Sequence, residues 1–154
     1  MEDSGSEILI LGTLPGKESL KTQQYYASVS NYFWRIISAV FSEPLLVTNE
    51  ERIFFLHKHH IALWDVLKSA NRITSLDSDI KDSVANDLKG FVDNHPKLRL
   101  ICFNGKEAYN YFGKYIGFKN ISGPIRVVSL PSTSSSNTHT TLEEKIRRWK
   151  VIVE

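Results

Sequence analysis

The chain has little of several things. One cysteine, Cys102, stands among 154 residues. A lone thiol closes no internal disulfide and builds no four-cysteine zinc or iron–sulfur site. It sits in Leu98-Arg-Leu-Ile-Cys-Phe, which reads as a buried strand with Cys102 as a small core residue. No apolar run approaches the ~18 residues a membrane span needs. Surplus charge is slight: 19 basic against 17 acidic residues leave a formal +2. That permits nucleic-acid binding without arguing for it. The opening Met-Glu-Asp-Ser-Gly-Ser-Glu is acidic and polar, unlike a signal or transit peptide, so a cytoplasmic protein is expected.

What is present is an ordinary globular balance, 42% hydrophobic and 23% charged, in a length that suits one domain. Residues 1–154 are expected to form it, with 1–6 unstructured. Apolar runs at 7–12, 61–67, 98–103 and 125–130 read as strands. Helical spacing follows from Asn31, with Phe33, Ile36, Ile37 and Val40 on one face and Ser30 as N-cap. Thr48-Asn-Glu-Glu51 is a capping-box pattern opening a helix to about His59. Residues 79–93 read as a helix, with Ile80, Val84, Leu88, Phe91 and Val92 inward. Residues 106–112 read as another. Thr141-Leu-Glu-Glu144 caps a last helix with Ile146, Trp149 and Val153 inward. Residues 13–30 and 131–140 read as long loops, and long loops in compact domains are usually functional.

Strands alternating with helices predict an α/β fold: a three-layer αβα domain around a mostly parallel four-stranded sheet. Ligands of such sheets bind beyond the carboxyl ends of the strands. Two of those ends are unusual here, Gly12-Thr-Leu-Pro-Gly16 and Leu130-Pro-Ser-Thr-Ser134. His57-Lys-His-His60 fits no metal-ligand spacing and reads as a solvated helix end. Lys145, Arg147, Arg148 and Lys150 read as a solvated face beside Glu143 and Glu144. No metal and no cofactor are expected.

Gly12-Thr-Leu-Pro-Gly16, Ser19-Leu, Gln24-Tyr-Tyr-Ala27, Asn31-Tyr-Phe-Trp34 and Leu130-Pro-Ser-Thr-Ser134 together resemble the hypoxanthine-DNA glycosylase family of the uracil-DNA glycosylase superfamily. Leu63-Trp-Asp-Val-Leu67, Ser75-Leu-Asp-Ser78 and Phe103-Asn-Gly-Lys106 resemble it too, so the likeness runs from about Ile8 to Asn137. Mismatch-specific uracil glycosylases are similar, with a first motif Gly-Ile-Asn-Pro-Gly. Leu14 stands where those enzymes place their catalytic Asn. Asn31 matches the amide that the hypoxanthine family uses instead. Ser28 and Val29 depart from that family's usual His and Pro.

The resemblance implies a monofunctional glycosylase that flips a deaminated base out of DNA and hydrolyses its N-glycosidic bond. Hypoxanthine is the leading base. A monomer is expected, with no membrane partner. No lysine stands out as a Schiff-base nucleophile. Cleavage through an oxocarbenium-like sugar needs no strong base. An Asn carbonyl holding a water in line would suffice, so Asn31 is the expected catalytic residue; by local pattern alone it is a helix cap. Leu14, Tyr25, Tyr26, Phe33, Asp65 and Asn104 are expected to meet the base. Of these, Tyr26 aligns with the stacking aromatic of the mismatch-specific enzymes, Asp65 could accept N1–H of hypoxanthine, and Asn104 could equally be a plain Asn-Gly turn. Gly16, Lys17, Ser19, Pro131, Ser132, Thr133 and Ser134 are expected to face DNA phosphates. Uracil or G:U mismatch removal and a catalytically silent DNA-binding domain are the competing readings.

Overall fold

A computed structural model describes residues 5–71, 81–121 and 123–154. Four strands form one sheet: β1 (Ile8–Gly12), β2 (Ile61–Asp65), β5 (Leu100–Asn104) and β6 (Arg126–Leu130). Their order is β2-β1-β5-β6 and every pairing is parallel. Side chains alternate faces along a strand. Ile8 and Ile10 of β1 therefore join one core, and Leu9 and Leu11 the other.

The first core is covered by α2 (Phe33–Val40), α3 (Asn49–Lys58) and α6 (Leu142–Trp149). The second is covered by α4 (Leu88–Asp93) and α5 (Lys106–Tyr115). This is the expected three-layer architecture. Phe33, Ile36, Ile37 and Val40 are all buried, as their spacing predicts. Thr48 caps α3 with a complete capping box, and Thr141 accepts from Glu144 N–H at the start of α6. Cys102 lies in the first core, where burial pushes its thiol up to about 12. No helix among the described residues is long and apolar enough to cross a membrane.

The structure corrects several expectations. Instead of one helix over 79–93, Lys81–Ala85 is a strand, β4, antiparallel to β3 (Leu67–Asn71), and the helix starts only at Leu88. Asp87 sets that start by accepting from Gly90 N–H. Residues 79 and 80, and the motif at 75–78, lie outside the described residues. The strand expected over 61–67 ends at Asp65, and the chain then turns into β3. The 13–30 segment is not all loop: it holds α1 (Lys17–Thr22), which buries no residue and so carries no apolar period. Ser30 does not cap α2, which begins at Phe33 after Tyr32. Ser6, within the segment expected to be unstructured, is buried. After α6 the backbone tightens into a 3₁₀ turn over Lys150–Val153. The shorter repeat turns Ile152 inward and leaves Val153 exposed.

Candidate active site

A parallel sheet brings all its carboxyl ends to one edge. Gly12, Asp65, Asn104 and Leu130, the last residues of β1, β2, β5 and β6, line one cleft of about 1210 Å³. That exceeds the usual small-ligand pocket. Leu14, Gly16, Lys17, Ser19, Tyr25, Tyr26, Asn31, Pro131, Ser132 and Ser134 line it as well. Most of the expected site residues are thus brought together. Residues that sequence reasoning left out also line it: Gly12, Ser28, Ser30, Lys106, Glu107, His139 and Arg148.

Gly12 has a steric reason to be glycine. A Cβ there would lie 2.7 Å from Asp65 Oδ1 and 3.2 Å from the Tyr26 hydroxyl. Its position at the end of a strand, before an unusual loop, was the available signal. Tyr26 is held in the left-handed region at φ 53°. Its ring stacks on Phe33 with centroids 4.1 Å apart and planes 21° apart. Phe33 itself is fully buried, edge-on to Trp34 and Trp149, and does not reach the cleft. Phe33 is therefore a support beneath Tyr26 and not a base contact. Tyr25 is fixed through its carbonyl, which accepts from Trp34 Nε1 at 3.0 Å.

The two lips of the cleft are joined through Asn31. Asn31 and Ser134 form an antiparallel bridge. Tyr32 N–H donates to Thr133 O at 2.9 Å, and Ser135 N–H to Ser30 O at 3.0 Å. Asn31 Oδ1 accepts from Phe33 N–H at 3.0 Å and from the Thr133 hydroxyl at 2.7 Å. Both carbonyl lone pairs of this oxygen are engaged within the protein. Nδ2 makes no hydrogen bond within the protein among the described residues. The open polar edge of Asn31 is a donor.

Thr133 and Asn104 also depart from expectation. Thr133 is 0% exposed, does not line the cleft, and donates its hydroxyl to Asn31. Asn104 lines the cleft, yet its Oδ1 accepts from Thr133 N–H and its Nδ2 donates to Thr133 Oγ1, both at 2.9 Å. It is a buried brace and not an open reading head.

From below, α6 holds the 131–137 lip. Trp149 Nε1 donates to Pro131 O at 2.9 Å, and Lys145 Nζ to Ser134 O at 3.1 Å. Lys145 is 2% exposed, so it does not belong to a solvated face. Burial lowers its pKa. The sequence carried a signal for this: Lys145 lies four residues before the buried Trp149, on one helix face. His59 is similarly engaged, half-buried at 2.6 Å from Glu43 Oε2, in place of a fully solvated helix end. No three His, Cys, Asp or Glu side chains converge as a metal site among the described residues. The cleft is nearly charge-balanced, with Lys17, Lys106 and Arg148 against Glu18, Asp65 and Glu107. The start of α5, at Gly105, opens onto it without a side-chain cap.

Known proteins match this chain at every level. The model of the Uracil DNA glycosylase superfamily matches residues 1–152. A Hypoxanthine DNA glycosylase of Methanosarcina acetivorans is 46% identical over 110 residues, 71% of this chain and 70% of that protein. Its namesake in Methanosarcina barkeri is 40% identical over the same shares. The solution NMR structure of a candidate uracil DNA glycosylase from Methanosarcina acetivorans superposes with a TM-score of 0.79. It covers 99% of this chain and 94% of its own at 36% identity. This chain belongs to the uracil DNA glycosylase superfamily.

Proposed function

We propose that this protein is a DNA glycosylase that hydrolyses the N-glycosidic bond of a flipped deaminated base, hypoxanthine before others. The observation that carries the reading is the free amide edge of Asn31 in the cleft beside apolar Leu14. The two curated relatives that bear the hypoxanthine name support it.

The chemistry follows from what faces the cleft. The bond between C1′ and the base breaks first, leaving electrons on the base and an oxocarbenium-like sugar. Stabilising the departing base is then the main task. The Asn31 NH₂ donates to an acceptor on that base, and the uncapped start of α5 adds its dipole. Water adds to C1′ and loses a proton to solvent while the departed base gains one, leaving an abasic site and the free neutral base. Tyr26, backed by Phe33, offers its ring to the flipped base, with Tyr25 and Leu14 beside it. Asp65 accepts N1–H of hypoxanthine. Adenine has an acceptor at N1, so the same carboxylate disfavours the undamaged purine. Gly16, Lys17, Ser19, Pro131, Ser132 and Ser134 approach the phosphates on either side. The protein acts as a monomer on DNA, without a covalent enzyme intermediate.

The test is direct. Duplexes with a single labelled inosine or a single uracil are incubated with the protein, and abasic sites are then cleaved with alkali. Cutting at inosine is expected. Cutting at uracil alone would move the protein to the other branch of the superfamily. Binding without cutting would make it a silent DNA-binding domain. A borohydride-trapped adduct would rule out simple hydrolysis.

A further inference from the structure

The polarity of the Asn31 amide can be traced without assuming where any hydrogen lies. Backbone N–H groups only donate. The side-chain atom of Asn104 that meets Thr133 N–H is therefore oxygen, which puts Asn104 Nδ2 against Thr133 Oγ1. Nδ2 can only donate, so Thr133 Oγ1 accepts there, and its own hydrogen is left for one remaining neighbour. That neighbour is Asn31 Oδ1 at 2.7 Å. Phe33 N–H, at 3.0 Å, independently requires the same Asn31 atom to be oxygen. Two backbone donors on different elements thus fix three side chains in one direction. The relay is fully enclosed at Thr133 and connects the end of β5 to the cleft.

We propose that Thr133 is a positioning residue whose hydroxyl locks the Asn31 amide with its NH₂ edge toward the substrate. The reason lies in the symmetry of an amide. A carboxamide rotated by 180° about its Cβ–Cγ bond has nearly the same shape but presents oxygen where nitrogen was. The Phe33 N–H alone leaves the ring of donors one bond short. The Thr133 proton supplies the second bond; rotation would set NH₂ against the Phe33 N–H and force the hydroxyl to turn and accept from both amides. Because that orientation would leave the Phe33 N–H without an acceptor, it is strongly depopulated. Thr133 never touches DNA in this role. Together with Phe33 N–H it holds Asn31 so that its NH₂ meets a hydrogen-bond acceptor on the base.

This inference rests on the glycosylase reading above, and the two can fail separately. If wild-type protein cuts neither inosine nor uracil, that reading fails. If it cuts, four measurements decide the present one. Thr133→Val keeps the shape and removes the proton. Its single-turnover rate on inosine duplex is expected to fall between about 10- and 100-fold, the range for a misaligned catalytic group. Binding of a duplex bearing a non-hydrolysable inosine analogue is expected to change less than about threefold, since phosphate contacts remain. Thr133→Ser restores the hydroxyl and is expected to return the rate to within about threefold of wild type. In an Asn31→Ala background, Thr133→Val is expected to cause no further loss, because the residue it orients is gone. Thermal melts establish that each variant folds, and Thr133→Ala replaces the valine variant if that one does not. Equal losses in the Ser and Val variants, or an undiminished loss in the Asn31→Ala background, would overturn the proposal. So would a weakening of binding that matches the loss in rate.

Discussion

At the residue scale the cleft turns on which atom of Asn31 is free. An Asp in its place keeps the shape and still accepts from Phe33 N–H and Thr133, but it presents an oxygen where the NH₂ stood. If the donor stabilises the departing base, Asn31→Asp should be at least as slow as Asn31→Ala. Both should lose about 100-fold or more in single-turnover excision of hypoxanthine. If a carbonyl oxygen held the attacking water instead, the Asp variant would stay active, so the ratio of the two rates separates the alternatives. Gly12 offers a second check. A methyl group at 2.7 Å from Asp65 Oδ1 must push the carboxylate aside, and the Tyr26 hydroxyl is next in line. Gly12→Ala should slow excision about 10-fold or more, while overpacking costs about 1–3 kcal/mol of stability. Rates and thermal melts measured on one preparation report both. Asn31, Leu14, Tyr26 and Asp65 could be located from sequence because they lie at strand ends or on motifs beside them. The second bond that holds the Asn31 amide could not, because its donor, Thr133, is 102 residues away.

At the scale of elements, the strands and caps were legible where one physical signal dominated. The Thr48–Glu51 box and the α2 stripe each match local chemistry to the fold. The 79–93 segment failed because two signals coincided. Val84 and Leu88 are four apart and mimic a helical face, yet Asn86 and Asp87 break the chain between them. Asn86 Nδ2 ties back to Asp65 O at 2.8 Å, and Asp87 starts a new helix. Phe33 lies beside the Asn31 motif but sits on the buried stripe of α2, where packing takes precedence. The end of α3 carries a testable charge cluster. Lys58 Nζ lies 2.8 Å and His59 Nε2 2.6 Å from the Glu43 carboxylate. The Lys58 hydrogen bond, then that of His59, lowers the Glu43 pKa from 4.5. A depressed carboxylate stabilises the fold above its unfolded pKa, and that contribution is lost as pH falls through the folded value. Glu43→Gln should therefore cost about 0.5–1 kcal/mol at pH 7. The gap to wild type should close as pH drops below the range in which Glu43 protonates. Denaturant melts at pH 7 and at successively lower pH measure it; a gap independent of pH would assign the cost to packing instead.

For the whole molecule, the charge distribution sets how DNA is held. Net charge is only +2. Within the cleft, Lys17, Lys106 and Arg148 are offset by Glu18, Asp65 and Glu107. Counterion release scales with the number of phosphates neutralised, at about −0.9 per contact in the slope of log K against log salt. Three cations at the cleft bound that slope near −3, and the neighbouring carboxylates make it shallower. On the proposed glycosylase reading, affinity then comes from stacking on Tyr26, the bonds to the flipped base, and neutral donors along the 131–137 lip. Such binding keeps its strength as salt rises, while non-specific binding, which depends on phosphates almost alone, starts weak. Titration of an inosine duplex and of its undamaged counterpart between 50 and 200 mM KCl, about a fourfold range, should show less than about a hundredfold loss for the first. The ratio of the two affinities should hold nearly constant or widen. A slope much steeper than −3 would mean that basic residues outside the cleft carry the DNA, and that the footprint extends well beyond the carboxyl edge of the sheet.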